Sequence, residues 1–599
     1  MRQYRPFREI AAALVVLSFA VNTLPVPPAE AEADGRRKIG LVLGGGGALG
    51  GAHLGVLKVL EENRIPVDYI AGTSMGSIVG GAYAAGMSPD EIEELLNSID
   101  WANLFNDKPS RDQIPFRDKY DTRRLANFEV GVGKEGLKMP HGAVAGQKLD
   151  FILQEVTVRT GAVDDFDKLH IPYRAVATDI ETGESVTLKK GNLAEAIRAS
   201  MSVPGAFSPV EIDGRVLVDG MVAKNVPVDV AKEMGAEEII CIDVGGALPG
   251  RDKLDSNLAI MMQMIGIFTK QNVDYQKGLL TDKDIFIEAN PGAEFTAVDF
   301  TRLQEIIDAG EKIARGHIEE LKRYSVSEEE YKEFIARQRG ALKDVEIDFV
   351  KVGSTGRVEP RLVKSKVKTK AGKELDFKTL EDDLSRIYSI GDFENVNFSI
   401  AEEKGEKGLL IEGKEKSWGP HYLSFGANIL ENFKGDSYYT LLAQHQWRQV
   451  NRLGADWKNR FAMGKELGYQ TLFYQPLDYS ERFFIQPMAR VGQEYIDVYS
   501  DHEKITEYEV QDMAGAFEGG VNFGNEAQAR GGMFWRGLTA EPNIKRFGIP
   551  EYKDLYETGV HGNFTYDSMN SANFPREGML AFADIYSPLE ALDCDEDHN

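Results

Sequence analysis

The stretch "DYIAGTSMGSIVGGAYAAG", Asp68 to Gly86, sets a lone serine, Ser74, between Gly72 and Gly76, where a short apolar run gives way to a helical pattern. A bland turn would explain one glycine. Two glycines around a serine have the G-x-S-x-G form of a nucleophile elbow, a sharp strand-to-helix turn that strains the serine backbone and lifts its oxygen above a sheet. Neighbouring segments then come too close for a Cβ at either glycine. The helix that follows carries Gly76, Gly80, Gly81, Ala82, Ala84 and Ala85, small enough to pack tightly under the elbow.

A second glycine cluster precedes the elbow. In "LVLGGGGALGGAHLGVLKVLEEN" four glycines follow a strand-like run and open an amphipathic helix. Backbone amides at such a loop and helix start can hold a phosphate or an oxyanion. Gly45, Gly47 and Gly50 also fit G-x-G-x-x-G, but a dinucleotide site wants an acidic residue at the end of the next strand. That strand instead runs straight into Gly72-Thr73-Ser74.

A serine nucleophile needs a base. The histidines of this region, His53, His141, His170 and His317, stand in no triad context, and His53 reads as a helix residue packed behind the glycine loop. Asp219, in "VEIDGRVLVDGMVAKNVPV", is the better candidate. Asp213-Gly214 reads as a hairpin turn, and Asp219-Gly220 ends the second strand of that hairpin, where a carboxylate can project toward the edge bearing the elbow. At its ordinary pKa of about 4 a carboxylate is a weak base for serine, so burial is expected to raise it.

The 599 residues suffice for three or four domains, and 42% hydrophobic with 27% charged residues implies an ordered chain. A net charge of −26 argues against general nucleic-acid binding, which needs a basic face. Cys241 and Cys594 lie far apart, so neither a disulfide framework nor a zinc site is indicated, and Cys241 reads as a buried strand thiol. Arg2, Arg5 and Arg8, the apolar stretch from Ile10 to Val21 and the small residues Ala29, Ala31 and Ala33 form a signal-peptide pattern over residues 1–33, with a retained anchor as the alternative.

From residue 36 to 324 strand-like and helical runs alternate, the pattern of an α/β domain with a mostly parallel sheet. Residues 325–344 read as a charged helical connector, 345–416 as strand, two helices and two strands, and 420–599 as alternating aromatic-rich strands. "AIMMQMIGIF" places Met261, Met262, Met264 and Phe268 on a helix, either lining an acyl groove or packed in ordinary core or an interface.

"GGGGALGGAHLGVLKVLEE", "GTSMGS", "AVATDIETGE" and "AIRASMSVPGAFSPVEIDGRVLVDGMVAKNVPV" occur in the order found in patatin-like phospholipases, which residues 38–323 resemble. The resemblance implies a Ser–Asp dyad hydrolase of lipid acyl esters that uses no cofactor and no metal. By position it makes Ser74 the nucleophile, Asp219 the base, the amides of Gly45, Gly46 and Gly47 the oxyanion hole, and Gly50, Gly72, Gly76 and Gly220 the motif glycines. Leu49 stands where the family usually has a basic residue, and Met221 where it has Gly or Ala.

The second half resembles something else. Residues 345–416, centred on "LEDDLSRIYSIGDFENVNFSI", look like a polypeptide-transport-associated (POTRA) domain, and "YDSMNSANFPREGMLAFADIY" resembles a strand-turn-strand signature of surface-antigen-type outer-membrane barrels. The order signal peptide, patatin, POTRA, barrel is similar to that of type V secretion patatin-like autotransporters. It implies export to the outer membrane, a hydrolase domain that is periplasmic or at the cell surface, a lipid substrate, and leaves homo-oligomers open. Roughly ten strand-like runs, where such barrels close with about sixteen, imply a barrel that is either partial or completed some other way. Two readings follow: a lipid acyl hydrolase carried on its own barrel, or a transport and assembly protein with an inert patatin passenger.

Overall fold

The computed structural model describes residues 36–589 except 105, 127, 135, 141, 143, 159–162, 247, 249, 340–345, 354–355, 432–436, 501–502 and 544–548. The signal-peptide and anchor readings and Cys594 fall outside the described residues.

The amino-terminal domain is built on an eight-stranded sheet. In spatial order its strands are Ile285–Glu288, Glu238–Asp243, Ile39–Leu43, Tyr69–Thr73, Tyr173–Asp179, Arg215–Asp219 and Val210–Ile212, with Ser185–Leu188 also paired to Tyr173–Asp179. The first five run parallel and the rest antiparallel, so the mostly parallel α/β sheet implied by the sequence is the one observed. Strand alternation divides the core. Leu41 and Leu43 face the helices Gly51–Glu62, Met75–Ala84 and Leu303–Gly316, while Val42, Ala71, Val176 and Cys241 form a second cluster on the opposite face. Cys241 is fully buried there, as its strand context predicts.

The charged stretch after Tyr324 is not a free connector. Its helix, Glu328–Gln338, begins with a capping box at Ser327 and buries Phe334 in the core of the α/β domain. Tyr331, Phe334 and Ile335 supply a narrow i, i+3, i+4 stripe that the surrounding charges obscure.

Residues 346–415 form a small α+β module in the order expected from the sequence. Its main sheet sets the central strand Glu406–Glu415 parallel to Phe349–Val352 and antiparallel to Phe393–Glu403. The helices Pro360–Lys366 and Phe377–Tyr388 cover it through Leu362, Val363, Leu380, Leu384 and Ile387.

Among the described residues nine antiparallel strands follow in a meander, from His421–Glu431 to Leu580–Pro588. The sequence reads as roughly ten strand-like runs; the longest strand observed, Glu503–Phe523, has 21 residues. Alternate residues on one face, including Tyr439, Leu441, Phe461, Met463, Met533 and Trp535, are exposed and apolar. Among the described residues no pairing joins the first strand to the last. The edge of His421–Glu431 is instead occupied by a hairpin of the α/β domain, Glu129–Gly133 with Gly136–Lys138, in the register Tyr422 to Gly131. Gly131 permits this approach, since a Cβ there would lie 2.0 Å from the Trp418 carbonyl oxygen.

The segment before that hairpin docks on the polar face of the same sheet through charges. Lys458 Nζ lies 2.6 Å from Asp118 and 2.7 Å from Asp121, Arg117 pairs with Glu481 at 2.6 Å, and Arg111 with Asp567. These side chains are largely withdrawn from water, where losing one partner is costly. Lys458→Met is expected to destabilise the full chain by about 3 kcal/mol in equilibrium unfolding in detergent. A loss below about 0.5 kcal/mol would show the segment undocked.

Candidate active site

Ser74 sits between the strand Tyr69–Thr73 and the helix Met75–Ala84 with φ 53° and ψ −125°. A positive φ at a residue bearing a Cβ is strained backbone, held here by its surroundings. The glycines show how. A Cβ on Gly72 would lie 2.5 Å from the Gly76 carbonyl oxygen, and one on Gly76 would lie 2.3 Å from that of Leu43. The helix therefore starts almost in contact with the neighbouring strand, and the turn has no room to relax.

Asp219 reaches the serine from two strands away. Ala177 pairs with Asp219 while Val176 pairs with Thr73, so the end of the antiparallel hairpin arrives at the level of the elbow. Gly220 then crosses the intervening strand closely, for a Cβ there would fall 2.2 Å from the Val176 carbonyl oxygen. Ser74 Oγ donates to Asp219 Oδ2 at 2.7 Å, and the Met221 amide donates to Asp219 Oδ1 at 2.8 Å. Asp219 is fully buried and Ser74 is 6% exposed. Burial pushes the Asp219 carboxyl up to about 7, with the Met221 amide and the Ser74 hydroxyl pulling the other way. A carboxylate so placed matches a general base working near neutral pH.

The histidines do not compete. His53 Nε2 contacts the Gly44 carbonyl at 2.7 Å, and burial lowers its pKa to about 4, so it is a neutral packing residue behind the glycine loop. His170 contacts the Arg337 carbonyl and His317 lies beside Glu320; His141 is outside the described residues.

The glycine loop narrows one expectation. The Gly45 amide donates to Asn225 Oδ1 at 3.1 Å, and Asn225 Nδ2 donates back to the Gly45 carbonyl at 3.2 Å. In this structure that amide is engaged in fixing the loop. Among the described residues no hydrogen bond engages the Gly46 and Gly47 amides, which keep the donor role open to them. Gly47 has φ +57°, and a Cβ there would lie 2.3 Å from the Ala297 carbonyl oxygen. Gly50 gives room to Met75, whose Cγ would lie 2.3 Å from an added Cβ. Leu49 is buried, and a basic side chain there would lose its solvation.

Asn225 and Ser200 were missed in the sequence. Ser200 Oγ accepts the Ser74 amide at 3.0 Å. A six-residue offset from Asp219 to Asn225 carries no motif, and only the fold brings Asn225 to Gly45. The methionine helix, Asn257–Lys277, is not packed as core on this side: Ile260, Met261, Met264, Ile267 and Phe268 are exposed on one face. Its other face holds the catalytic turn, with Thr269 Oγ1 and Asn272 Nδ2 donating to the Met221 carbonyl at 3.1 and 3.0 Å.

Residues 41–232 match the family model for patatin-like phospholipases, so the chain carries a patatin-like phospholipase domain. An uncharacterized NTE family protein of Mycobacterium tuberculosis is 33% identical over 232 residues, covering 38% of this chain and 56% of the relative. A patatin-like phospholipase domain-containing protein of Caenorhabditis elegans is 31% identical over 307 residues (47% and 21%), and human patatin-like phospholipase domain-containing protein 6 is 34% identical over 211 residues (35% and 13%). The chain thus spans between an eighth and little more than half of these relatives' lengths. Among solved structures, BamA from Haemophilus ducreyi lacking POTRA domains 1–3 aligns at TM-score 0.32 and 12% identity, covering 41% of this chain and 49% of that one. VipD from Legionella pneumophila aligns at 0.25 and 15%, covering 47% and 67%.

The raised Asp219 pKa gives activity and stability opposite pH trends. Activity needs the carboxylate, so kcat/KM is expected to climb through an apparent pKa near 7. The folded state holds the proton more tightly than the unfolded chain. The Asp219 contribution to stability is therefore fully present near pH 4 and lost as pH rises toward 7. Asp219→Asn should abolish the kinetic limb and flatten that part of the stability profile. Activity that stays level from pH 5 to 8 in the native chain would count against Asp219 as base.

Proposed function

We propose that this chain is a serine acyl hydrolase of lipid esters that works through an acyl-enzyme, with Ser74 as nucleophile and Asp219 as base. The observation that carries the reading is the 2.7 Å hydrogen bond from Ser74 Oγ to a fully buried carboxylate, made by a serine held at positive φ. As Ser74 Oγ attacks the ester carbonyl, its proton passes to Asp219 and the carbonyl oxygen becomes an oxyanion received by the Gly46 and Gly47 amides. Collapse expels the alcohol, which takes the proton from Asp219. Water then gives a proton to Asp219 and attacks the acyl-enzyme, and the fatty acid leaves as the proton returns to Ser74. Every step uses groups of this chain and water.

The apolar outward face of the Asn257–Lys277 helix, beside the turn that carries Met221, supports an apolar substrate. For the carboxyl-terminal half we read residues 345–416 as a POTRA domain and the nine strands as part of an outer-membrane barrel. The mixed three-stranded sheet with two helices supports the first. The exposed apolar alternation on one sheet face, with charged groups on the other, supports the second. Among the described residues no helix is long and apolar enough to cross a membrane. On this reading the hydrolase is exported and works at the outer membrane.

Treating the full chain in detergent with a fluorophosphonate, followed by peptide mass spectrometry, tests the reading. The adduct is expected on Ser74, absent in Ser74→Ala and at least about 100-fold slower to form in Asp219→Asn. A folded chain that takes no label would favour the inert-passenger alternative.

A further inference from the structure

The stretch from Arg198 to Ser202 braces the dyad from behind. Ser200 Oγ, which accepts the Ser74 amide at 3.0 Å, donates to the Val176 carbonyl at 2.6 Å. Two residues on, the Ser202 carbonyl accepts the Asp219 amide at 2.9 Å. Both members of the dyad thus hang from one short strap. Arg198, 4% exposed, ties that strap down. Its Nη1 donates to Ser202 Oγ at 2.6 Å, its Nη2 to the Ala145 carbonyl at 2.9 Å, and its Nε lies 3.0 Å from Asp150 Oδ1. The guanidinium also lies 4.9 Å from the centre of the Phe207 ring. The backbone leaves room for it: Gly146 has φ +91°, and a Cβ there would come within 2.7 Å of Arg198 Nη2.

We propose that Arg198 is a positioning residue of the hydrolase, setting the distance and angle between Ser74 and Asp219 through the strap, with Asp150 as its counter-ion. A planar guanidinium with five donors can hold a hydroxyl, a carbonyl and a carboxylate at once; a lysine ammonium cannot reach all three in fixed geometry.

Asp150 is itself held from outside the α/β domain. It lies on the helix Gln147–Val158, whose Gln147 and Gln154 face the open edge of Phe393–Glu403 in the α+β module. Gln147 Oε1 accepts the Val396 amide at 2.5 Å and Nε2 donates to the Val396 carbonyl at 2.8 Å, while Gln154 Oε1 accepts the Phe398 amide at 2.9 Å. The two glutamines satisfy that edge as a neighbouring strand would. The helix carrying Asp150 is therefore fixed between the module and the strap, and docking of the module supports the dyad.

The inference rests on the Ser74–Asp219 reading, and one set of variants separates the two. Steady-state hydrolysis of a p-nitrophenyl acyl ester by the full chain in detergent would be compared for Ser74→Ala, Arg198→Gln, Arg198→Lys, Asp150→Asn and the double variant Gln147→Ala, Gln154→Ala. Arg198→Gln should lower kcat about 100-fold with KM within about twofold, the signature of misplaced reacting groups rather than lost binding. Arg198→Lys should recover part of that loss, and Asp150→Asn and the glutamine pair should lower kcat by about tenfold and about threefold. If Arg198→Gln does not fold, Arg198→Lys and Asp150→Asn carry the same comparison. Folded Arg198 variants with native kcat, or losses confined to KM, would overturn the positioning role while leaving the dyad intact. Native activity in Ser74→Ala would instead remove the dyad reading, and this inference with it.

Discussion

The structure turns on a single hydrogen bond, Ser74 Oγ to Asp219 Oδ2, made where water is nearly excluded. A serine–carboxylate pair in water would be an ordinary surface contact. Burial changes its chemistry, because the desolvated carboxylate gains affinity for a proton, as the proposed role of base requires. It also sets demands on the rest of the domain. The two residues come from strands separated by a third, so the turn after Asp219 must pass over that strand, and the elbow must present its serine at the same height.

Those demands explain where side chains are missing. Gly72, Gly76 and Gly220 each stand where a Cβ would overlap a carbonyl group of another segment. The close approaches stack the elbow helix, the adjoining strand and the catalytic turn so tightly that the dyad distance follows from backbone packing. Asn225 completes the arrangement by holding Gly45 through both ends of its amide, which orients the loop so that the next two amides remain for an oxyanion.

Much of this was legible in the sequence. The elbow, the glycine loop and Asp219 after its hairpin are local patterns, each contained within about twenty residues, and the parallel α/β order shows in the alternation of such local runs. What escaped was long-range. Nothing in the sequence around Gly45 announces that its amide is taken by a residue 180 positions away. The charges of residues 325–344 masked a buried Phe334, since composition weighs many exposed glutamates against one core aromatic. The hairpin Glu129–Gly133 is too short and glycine-rich to read as a strand, and it becomes one only by pairing with His421–Glu431. The methionine face was left open between groove, core and interface, because apolar helical periodicity does not say whether anything covers it.

The chain is therefore coupled along its length: the α/β domain lends a hairpin and a charged segment to the antiparallel sheet and a pair of glutamines to the α+β module. At the centre of all this stands a preorganised serine. The most direct test is a structure of the full chain with a phosphonate bound covalently to Ser74. The phosphonyl oxygen should lie about 2.7–3.1 Å from the Gly46 and Gly47 amides, with Asp219 still beside Ser74 Oγ and Gly45 still on Asn225. An adduct oxygen turned away from the glycine loop, or a carboxylate withdrawn from the serine, would contradict the dyad and its oxyanion site.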